Sequence, residues 1–183
     1  MLAEFNSSSS SISIIIGIGN PGDEYEWTFH NAGVEFARFV AREMGGRIKF
    51  KKHSSRLFSY TSVRELRICE SASFMNNSGA TVGKAVSFFK KLPENILVAH
   101  DDSDIALGNY KLDFGAGSAG HNGIASVIAS LKTKNFWRAR IGTRNSRERG
   151  RKKAGSFVLS KVSDSDKKIL LGVFKKIMDD CVG

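Results

Sequence analysis

The chain has 183 residues, enough for one domain with a single hydrophobic core. Hydrophobic residues make up 41% of it and charged residues 25%, and no apolar run approaches the roughly 20 residues of a membrane span. Lysine and arginine number 28 against 18 acidic residues, so the formal net charge is +10. This excess favours a polyanionic partner such as nucleic acid, although basic enzymes without such a partner are common.

The cysteines and the N-terminal residues bear on where the chain works. Cys69 and Cys181 lie far apart, and neither their number nor their spacing suggests a disulfide framework or a zinc site. Reduced thiols in a cytoplasmic protein are therefore expected. Residues 1–11 are serine-rich and lack the basic and apolar regions of a signal peptide. We predict a disordered leader there, followed by a single domain over residues 12–183.

Helices and strands are predicted to alternate along the chain. The strands are expected at residues 12–18, 47–52, 56–63, 66–71, 95–100, 109–114 and 136–142. Helical spacing of apolar residues occurs at 32–44, 82–89, 124–131 and 170–177, the last helix opened by a capping box of Ser163 and Asp166. The alternation predicts an α/β fold with a twisted, mixed but largely parallel central sheet flanked by helices.

The first strand ends in the stretch IGNPGDEYEWTFHN, where Gly19, Pro21 and Gly22 predict a tight, exposed turn. Such turns carry chemistry in α/β proteins because a rigid strand positions them. Polar loops are also predicted at 74–77 and 100–104, each after a strand, and a glycine-rich loop at 115–122 enters a helix. These loops are expected to converge on one crevice. The crevice would gather Asn20, His30, Asn76, Asp101 and Asn122.

This set of side chains suits hydrolysis by an activated water molecule. An imidazole beside a carboxylate is a general-base pair, because the carboxylate fixes the tautomer and stabilises the imidazolium. Carboxamides are neutral donors for a developing oxyanion. No serine or cysteine stands in a nucleophile pattern, since Ala116 occupies the first glycine position of G-x-S-x-G around Ser118.

Two other kinds of site remain open from the residues alone. Gly17, Gly19 and Gly22 satisfy G-x-G-x-x-G after a strand, but residues 23–27 separate the last glycine from the helix, so the dinucleotide signal is weak. The histidines could form a zinc site with nearby aspartates, yet no H-x-x-x-H or C-x-x-C pair occurs. The four histidines are His30, His53, His100 and His121, of which His53 and His100 are expected to be structural or surface residues.

Four blocks occur in order: GIGNPG-x-x-Y-x-x-T-x-HN-A-G, FMN-x-SG, VAHDD-x-D and GAGSAGHNG. Together they resemble the bacterial-type peptidyl-tRNA hydrolase family over nearly the whole chain. The resemblance implies a single-domain enzyme that cleaves the ester between a peptide and the 3′ end of tRNA and so recycles peptidyl-tRNA released prematurely from ribosomes. It implies no metal, no cofactor and no membrane, and a cytoplasmic monomer that binds the acceptor stem and 3′ end of peptidyl-tRNA.

The resemblance also implies roles for residues at matching positions. His30 is expected to be the general base, Asp101 to hold it in its basic form, and Asn20 to tell peptidyl-tRNA from aminoacyl-tRNA. The further residues implied in binding are Tyr25, Phe74, Asn76 and Asn122 around the substrate, and Lys111 and Arg140 at tRNA phosphate.

The chain departs from the family pattern at two positions. Phe29 precedes His30 where the family commonly has arginine, and Asp113 stands where a second lysine often follows Lys111. Arg140 and the basic loop 144–153 are expected to compensate for the missing lysine. A non-catalytic RNA-binding relative with the same fold is the alternative; the retained histidine, aspartate and asparagines favour the enzyme.

Overall fold

The structure, a computed structural model, describes residues 12–144 and 158–182. Within these ranges seven strands form one sheet, covered by four helices of ten or more residues. The strands are β1 (Ile14–Gly17), β2 (Lys51–Lys52), β3 (Phe58–Val63), β4 (Leu66–Ser71), β5 (Ile96–Ala106), β6 (Tyr110–Phe114) and β7 (Trp137–Arg144). The helices are α1 (Ala32–Gly45), α2 (Ser78–Phe89), α3 (Asn122–Leu131) and α4 (Asp164–Val182).

The sheet is mixed, in the order β2-β3-β4-β1-β5-β7-β6. Its four central strands, β4, β1, β5 and β7, are parallel, whereas the outer strands pair in the antiparallel sense. The predicted fold class is therefore confirmed. None of the helices in residues 12–144 and 158–182 combines the length and apolarity needed to cross a bilayer.

The core lies on both faces of the sheet, and β1 shows why its sequence is a continuous apolar run. Ile15 packs in the cluster that includes α1 and α4, whereas Ile14 and Ile16 pack in the cluster that includes α2 and α3. All three side chains are fully buried. A central parallel strand covered on both faces requires apolar residues at every position, not alternate ones.

Two glycines bring the start of α1 against the central strands. A Cβ atom at Gly33 would overlap the carbonyl oxygen of Ala99 in β5, and one at Gly17 would overlap the carbonyl of Gly33. The first turn of α1 therefore lies on the backbone of β1 and β5. This contact holds His30 and Asn31, which precede α1, over the carboxyl end of β1.

The predicted strand 95–100 is too short, and the predicted polar loop 100–104 is wrong. β5 continues to Ala106, and Asp101 and Asp102 pair with Ile141 and Gly142 of β7 before the register shifts. A run of acidic residues looks like a loop in the sequence because unpaired carboxylates are costly to bury. Here both carboxylates have basic partners, so the strand can carry them at 2% and 9% exposure.

Three smaller predictions have different outcomes. The strand expected at 47–52 is reduced to Lys51 and Lys52, which form a short, lysine-rich edge of the kind that resists edge-to-edge aggregation. The N-cap half of the predicted capping box is observed, because Ser163 Oγ accepts a hydrogen bond from the Asp166 N–H at 3.2 Å. The serine-rich leader and all of the basic loop beyond Arg144 lie outside the described residues.

Candidate active site

A cavity of about 750 Å³ opens at the carboxyl ends of the central strands. Its walls come from the turn after β1, the turn before α2, the middle of β5 and the glycine-rich loop before α3. The predicted convergence of polar segments is therefore observed. The expected site residues that line it are Asn20, His30, Phe74, Asn76, Asp101 and Asn122.

His30 and Asp101 form an imidazole–carboxylate pair in this cavity. His30 lies in a short 3₁₀ turn, Phe29–Asn31, whose backbone is anchored because the His30 N–H donates to the carbonyl of Val158 at 2.7 Å. Its Nδ1 lies 2.9 Å from Oδ1 of Asp101. Asp101 is almost completely buried, whereas the His30 side chain is 18% exposed and lines the cavity. The imidazole is thus accessible while its carboxylate partner is shielded.

His121 is a second imidazole on the same carboxylate, and the sequence analysis assigned it no role in the mechanism. Its Nε2 lies 3.2 Å from Oδ1 of Asp101, and its Nδ1 accepts a hydrogen bond from the Ile124 N–H at 3.2 Å. Because Nδ1 is an acceptor, the proton of neutral His121 is on Nε2 and points at Asp101. The only sequence signal for this role was the position of His121 beside Asn122 in the GHNG block.

The two imidazoles determine the charge of Asp101. Burial by itself would raise the pKa of this carboxyl group, but hydrogen bonds from His121 and His30 outweigh burial and hold the pKa well below its usual range. Asp101 is therefore a carboxylate at neutral pH and accepts the Nδ1 proton of His30. The Nε2 of His30 then carries the lone pair and makes no hydrogen bond within the described residues.

Asn20 is held by three hydrogen bonds, one on its carboxamide and two on its backbone. Its Oδ1 accepts from the Met75 N–H at 2.8 Å, whereas the Nδ2 group of this cavity-lining residue makes no hydrogen bond within the described residues. The side chain of Asn31 pairs with the Asn20 backbone in both directions, at 2.8 and 2.9 Å. Asn31 is buried and positions Asn20, a role that the sequence analysis did not assign.

One side of the cavity is apolar. Phe74 is 57% exposed, an unusual state for a large aromatic residue, and the ring of Tyr25 meets it edge-on at 6.4 Å between centroids. Leu159, 46% exposed, lines the same cavity together with Met75 and Val158. Tyr25 is not itself part of the lining but contacts Phe74, which is.

Lys111 and Arg140 lie outside the cavity lining, opposite each other on β6 and β7. Lys111 is exposed and makes no ion pair within the described residues. Arg140 donates from Nε to Asp102 and from Nη1 to Asp113, each at 2.7 Å. The sequence analysis treated Asp113 only as a missing lysine and did not anticipate this pairing.

The zinc-site and dinucleotide interpretations of the sequence each require a particular local geometry. In residues 12–144 and 158–182, the group with metal-ligand spacing is His30, Asp101 and His121, whose ligand atoms lie within 4.8 Å of one another. His30 Nδ1 and His121 Nε2 each donate a proton to Asp101, and a metal ion bound there would have to displace both protons. The dinucleotide interpretation is not supported, because Gly22 leads into a 3₁₀ turn at Asp23–Tyr25, and not into the N-terminus of a helix.

The fold and the cavity define an α/β protein with an imidazole–carboxylate pair at the ends of parallel strands. Residues 14–182 match the sequence profile of the family described as peptidyl-tRNA hydrolase. The peptidyl-tRNA hydrolase of Marinobacter nauticus is 37% identical over 172 residues, covering 93% of this chain and 87% of that protein. That of Mycobacterium tuberculosis is 37% identical over 156 residues, covering 84% and 81%.

A solved structure shows the same similarity. The crystal structure of peptidyl-tRNA hydrolase from Acinetobacter baumannii aligns with a TM-score of 0.81 at 31% identity, covering 94% of this chain and 88% of that one. The chain belongs to the peptidyl-tRNA hydrolase family, whose members are hydrolases that act on peptidyl-tRNA.

Proposed function

We propose that this chain hydrolyses the ester between peptide and tRNA in peptidyl-tRNA released prematurely from ribosomes, and so returns tRNA to translation. The observation that carries the proposal is the His30–Asp101 pair in the cavity of a chain of this family. We place the activity in the cytoplasm and in a monomer that binds the acceptor stem and 3′ end of the substrate.

His30 acts as the general base. Its Nε2 takes a proton from a water molecule, whose oxygen attacks the ester carbonyl, and buried Asp101 stabilises the imidazolium that forms. The tetrahedral intermediate collapses by breaking the bond to the 3′ oxygen of tRNA, which receives the proton from Nε2. Peptide acid and tRNA are the products. An ester is an activated acyl group, so one positioned base and oxyanion donors suffice.

The asparagine side chains position the substrate. Asn76 and Asn122 are exposed in the cavity and make no side-chain hydrogen bond within the described residues, so their NH₂ groups are available to a developing oxyanion or to the substrate amide. The apolar side with Phe74 and Leu159 receives the peptide or the terminal base, since exposed aromatic and aliphatic surface stabilises either by burial.

Asn20 distinguishes blocked from unblocked substrates. Because its Oδ1 is occupied by the Met75 N–H, Asn20 presents a donor to the cavity. A donor suits the carbonyl of a peptide group next to the scissile ester. It cannot accept a hydrogen bond from the ammonium group of an unblocked aminoacyl-tRNA, so that substrate loses this contact.

The phosphate backbone is bound by Lys111, which is exposed and unpaired within the described residues. The contribution of Arg140 depends on the two carboxylates that contact it, Asp102 and Asp113. The basic residues between 145 and 153 are expected to add affinity.

The test is hydrolysis of an N-acetyl-aminoacyl-tRNA by the wild-type chain with excess EDTA, with the His30→Ala variant as control. We expect release of tRNA by the wild type, and a loss of rate with retained tRNA binding in the variant. Tight tRNA binding without hydrolysis by the wild type would indicate a non-catalytic RNA-binding protein.

A further inference from the structure

Arg140 lies in a closed cluster of charges on the outer part of the sheet. Its guanidinium is held between Asp102 of β5 and Asp113 of β6, with 2.7 Å to each carboxylate, and its side chain is only 15% exposed. Asp102 is 9% and Asp113 28% exposed, so all three groups are largely shielded from solvent screening. Arg138 Nη2 also lies 3.7 Å from Oδ2 of Asp113, so two carboxylates and two guanidinium groups give the cluster a net charge of zero.

The position of Asp113 on the guanidinium decides what else Arg140 can bind. Arginine recognises phosphate by directing its planar fork of N–H donors at two oxygens. In Arg140, Nε is committed to Asp102 and Nη1 to Asp113, so the carboxylate of Asp113 occupies a position on the fork that a phosphate oxygen would need. A phosphate could bind there only by displacing a partly buried anion from its partner.

Neighbouring cations do not replace Arg140. Arg138 is on the same face of β7, two residues away, but is 1% exposed and donates to the carbonyl of Gly117 at 2.8 Å. Lys111 stands opposite Arg140 in the β6–β7 register and brings the net charge of these five groups to +1. A lysine offers a point charge without the bidentate fork.

We propose that Asp113 is a specificity-determining residue that withholds Arg140 from substrate phosphate and so weakens the contact between this part of the sheet and tRNA. The proposal rests on the proposed function for the identity of the substrate. It follows that the first consequence of removing Asp113 is tighter tRNA binding, although the variant loses the ion pairs of Asp113 with Arg140 and Arg138.

The experiment measures the dissociation constant of deacylated tRNA against salt concentration for wild type, Asp113→Ala and Glu65→Ala. Glu65 is an exposed acidic residue in the turn between β3 and β4, near the opposite edge of the sheet, so its variant matches the change in net charge. We expect Asp113→Ala to bind about three- to tenfold more tightly at low salt. Its log–log salt slope should be steeper by roughly 0.7 to 0.9, as for one additional phosphate contact.

The double variant Asp113→Ala/Arg140→Gln shows whether the gain passes through Arg140. We expect it to return both affinity and slope to the wild-type values. Equal behaviour of Asp113→Ala and Glu65→Ala, or a gain that survives Arg140→Gln, would overturn the proposal. If Asp113→Ala does not fold, the salt slope of the Arg140→Gln variant in the wild-type background is the test. A slope shallower by one phosphate contact would show that Arg140 already binds tRNA and would overturn the proposal.

This binding measurement is independent of catalysis. Absence of ester hydrolysis by the wild type would remove the proposed function and leave the role of Asp113 in RNA binding to be judged by the slopes. Ester hydrolysis by the wild type, with the same salt slope for all variants, would leave the proposed function in place and overturn the role of Asp113.

Discussion

The Nδ1 atom of His30 lies 2.9 Å from Oδ1 of Asp101, although 71 positions separate the two residues in the chain. The pair forms because β1 and β5 are adjacent and parallel, with Gly17 opposite Ala99. Asp101 therefore extends two residues beyond the end of β1, beneath the turn that carries His30. The close contact of Gly33 with Ala99 keeps that turn in place.

Replacement of either member of this pair should slow hydrolysis without weakening tRNA binding. We expect His30→Ala to reduce kcat by about 10²- to 10⁴-fold, the usual contribution of a general base, with an unchanged dissociation constant for tRNA. Asp101→Asn should also reduce kcat, because the carboxamide cannot stabilise the imidazolium as an anion does. Single-turnover hydrolysis and tRNA binding measure the two effects. Wild-type turnover by His30→Ala would exclude His30 as the base.

His121 should act as a positioning residue through Asp101. His121→Phe removes one of the two N–H donors to Asp101, so we expect a lower kcat, by about tenfold, with little change in KM. His121→Gln can still donate to the carboxylate and should recover part of the loss. If the two variants are equally slow, or if KM changes instead of kcat, His121 contacts substrate and does not act through Asp101.

Asn20 should control the preference for blocked substrates. We expect Asn20→Ala to narrow the ratio of hydrolysis rates between N-acetyl-aminoacyl-tRNA and aminoacyl-tRNA, because the donor facing the cavity is lost. Asn31→Ala should give the same change more weakly, since Asn31 only orients Asn20. A uniform fall in both rates with a constant ratio would instead indicate that Asn20 shapes the turn.

The glycine at the start of α1 should be essential for stability. Gly33→Ala places a Cβ atom against the buried carbonyl of Ala99, and we expect a loss of about 3 kcal/mol in the free energy of unfolding. Gly172→Ala is the matched control, because position 172 in α4 faces open space. It should stabilise the protein by about 0.5–1 kcal/mol through helix propensity. Urea unfolding measures both, and equal stabilities of the two variants would contradict the close contact.

His100 should make the protein less stable as the pH falls. Burial, with the nearby His121 adding to it, holds the pKa of His100 well below its ordinary value of 6.5. Below pH 6.5 the unfolded chain therefore binds a proton that the folded chain does not, and stability falls by up to about 1.4 kcal/mol per pH unit. His100→Asn can still donate to the Asp101 carbonyl but does not titrate. Its stability should depend less steeply on pH between 6.5 and 4.5; an equal slope would contradict the assignment.

Much of the fold follows from local pattern. The apolar run of β1, the helical spacing of α1 to α4 and the cap formed by Ser163 and Asp166 depend on residues within a few positions of one another, so they are visible in the sequence. The motif blocks likewise led to the family and to the six predicted residues that line the cavity. The rule that loops meet at the carboxyl ends of parallel strands predicted five of these residues, and the resemblance to the family added Phe74.

Long-range partners were not visible in the same way. The continuation of β5 through Asp101 and Asp102 was missed because a strand carries buried carboxylates only when other segments supply their counter-charges. Those partners come from His30, His121 and Arg140, which lie 71, 20 and 38 positions away from the aspartates that they contact. Burial is a property of the packed molecule, and the energy of a buried charge depends on neighbours that chain order does not name. The pairing of β1 with β5 therefore decided which aspartate serves His30, and the pairing of β5, β6 and β7 decided which aspartates hold Arg140.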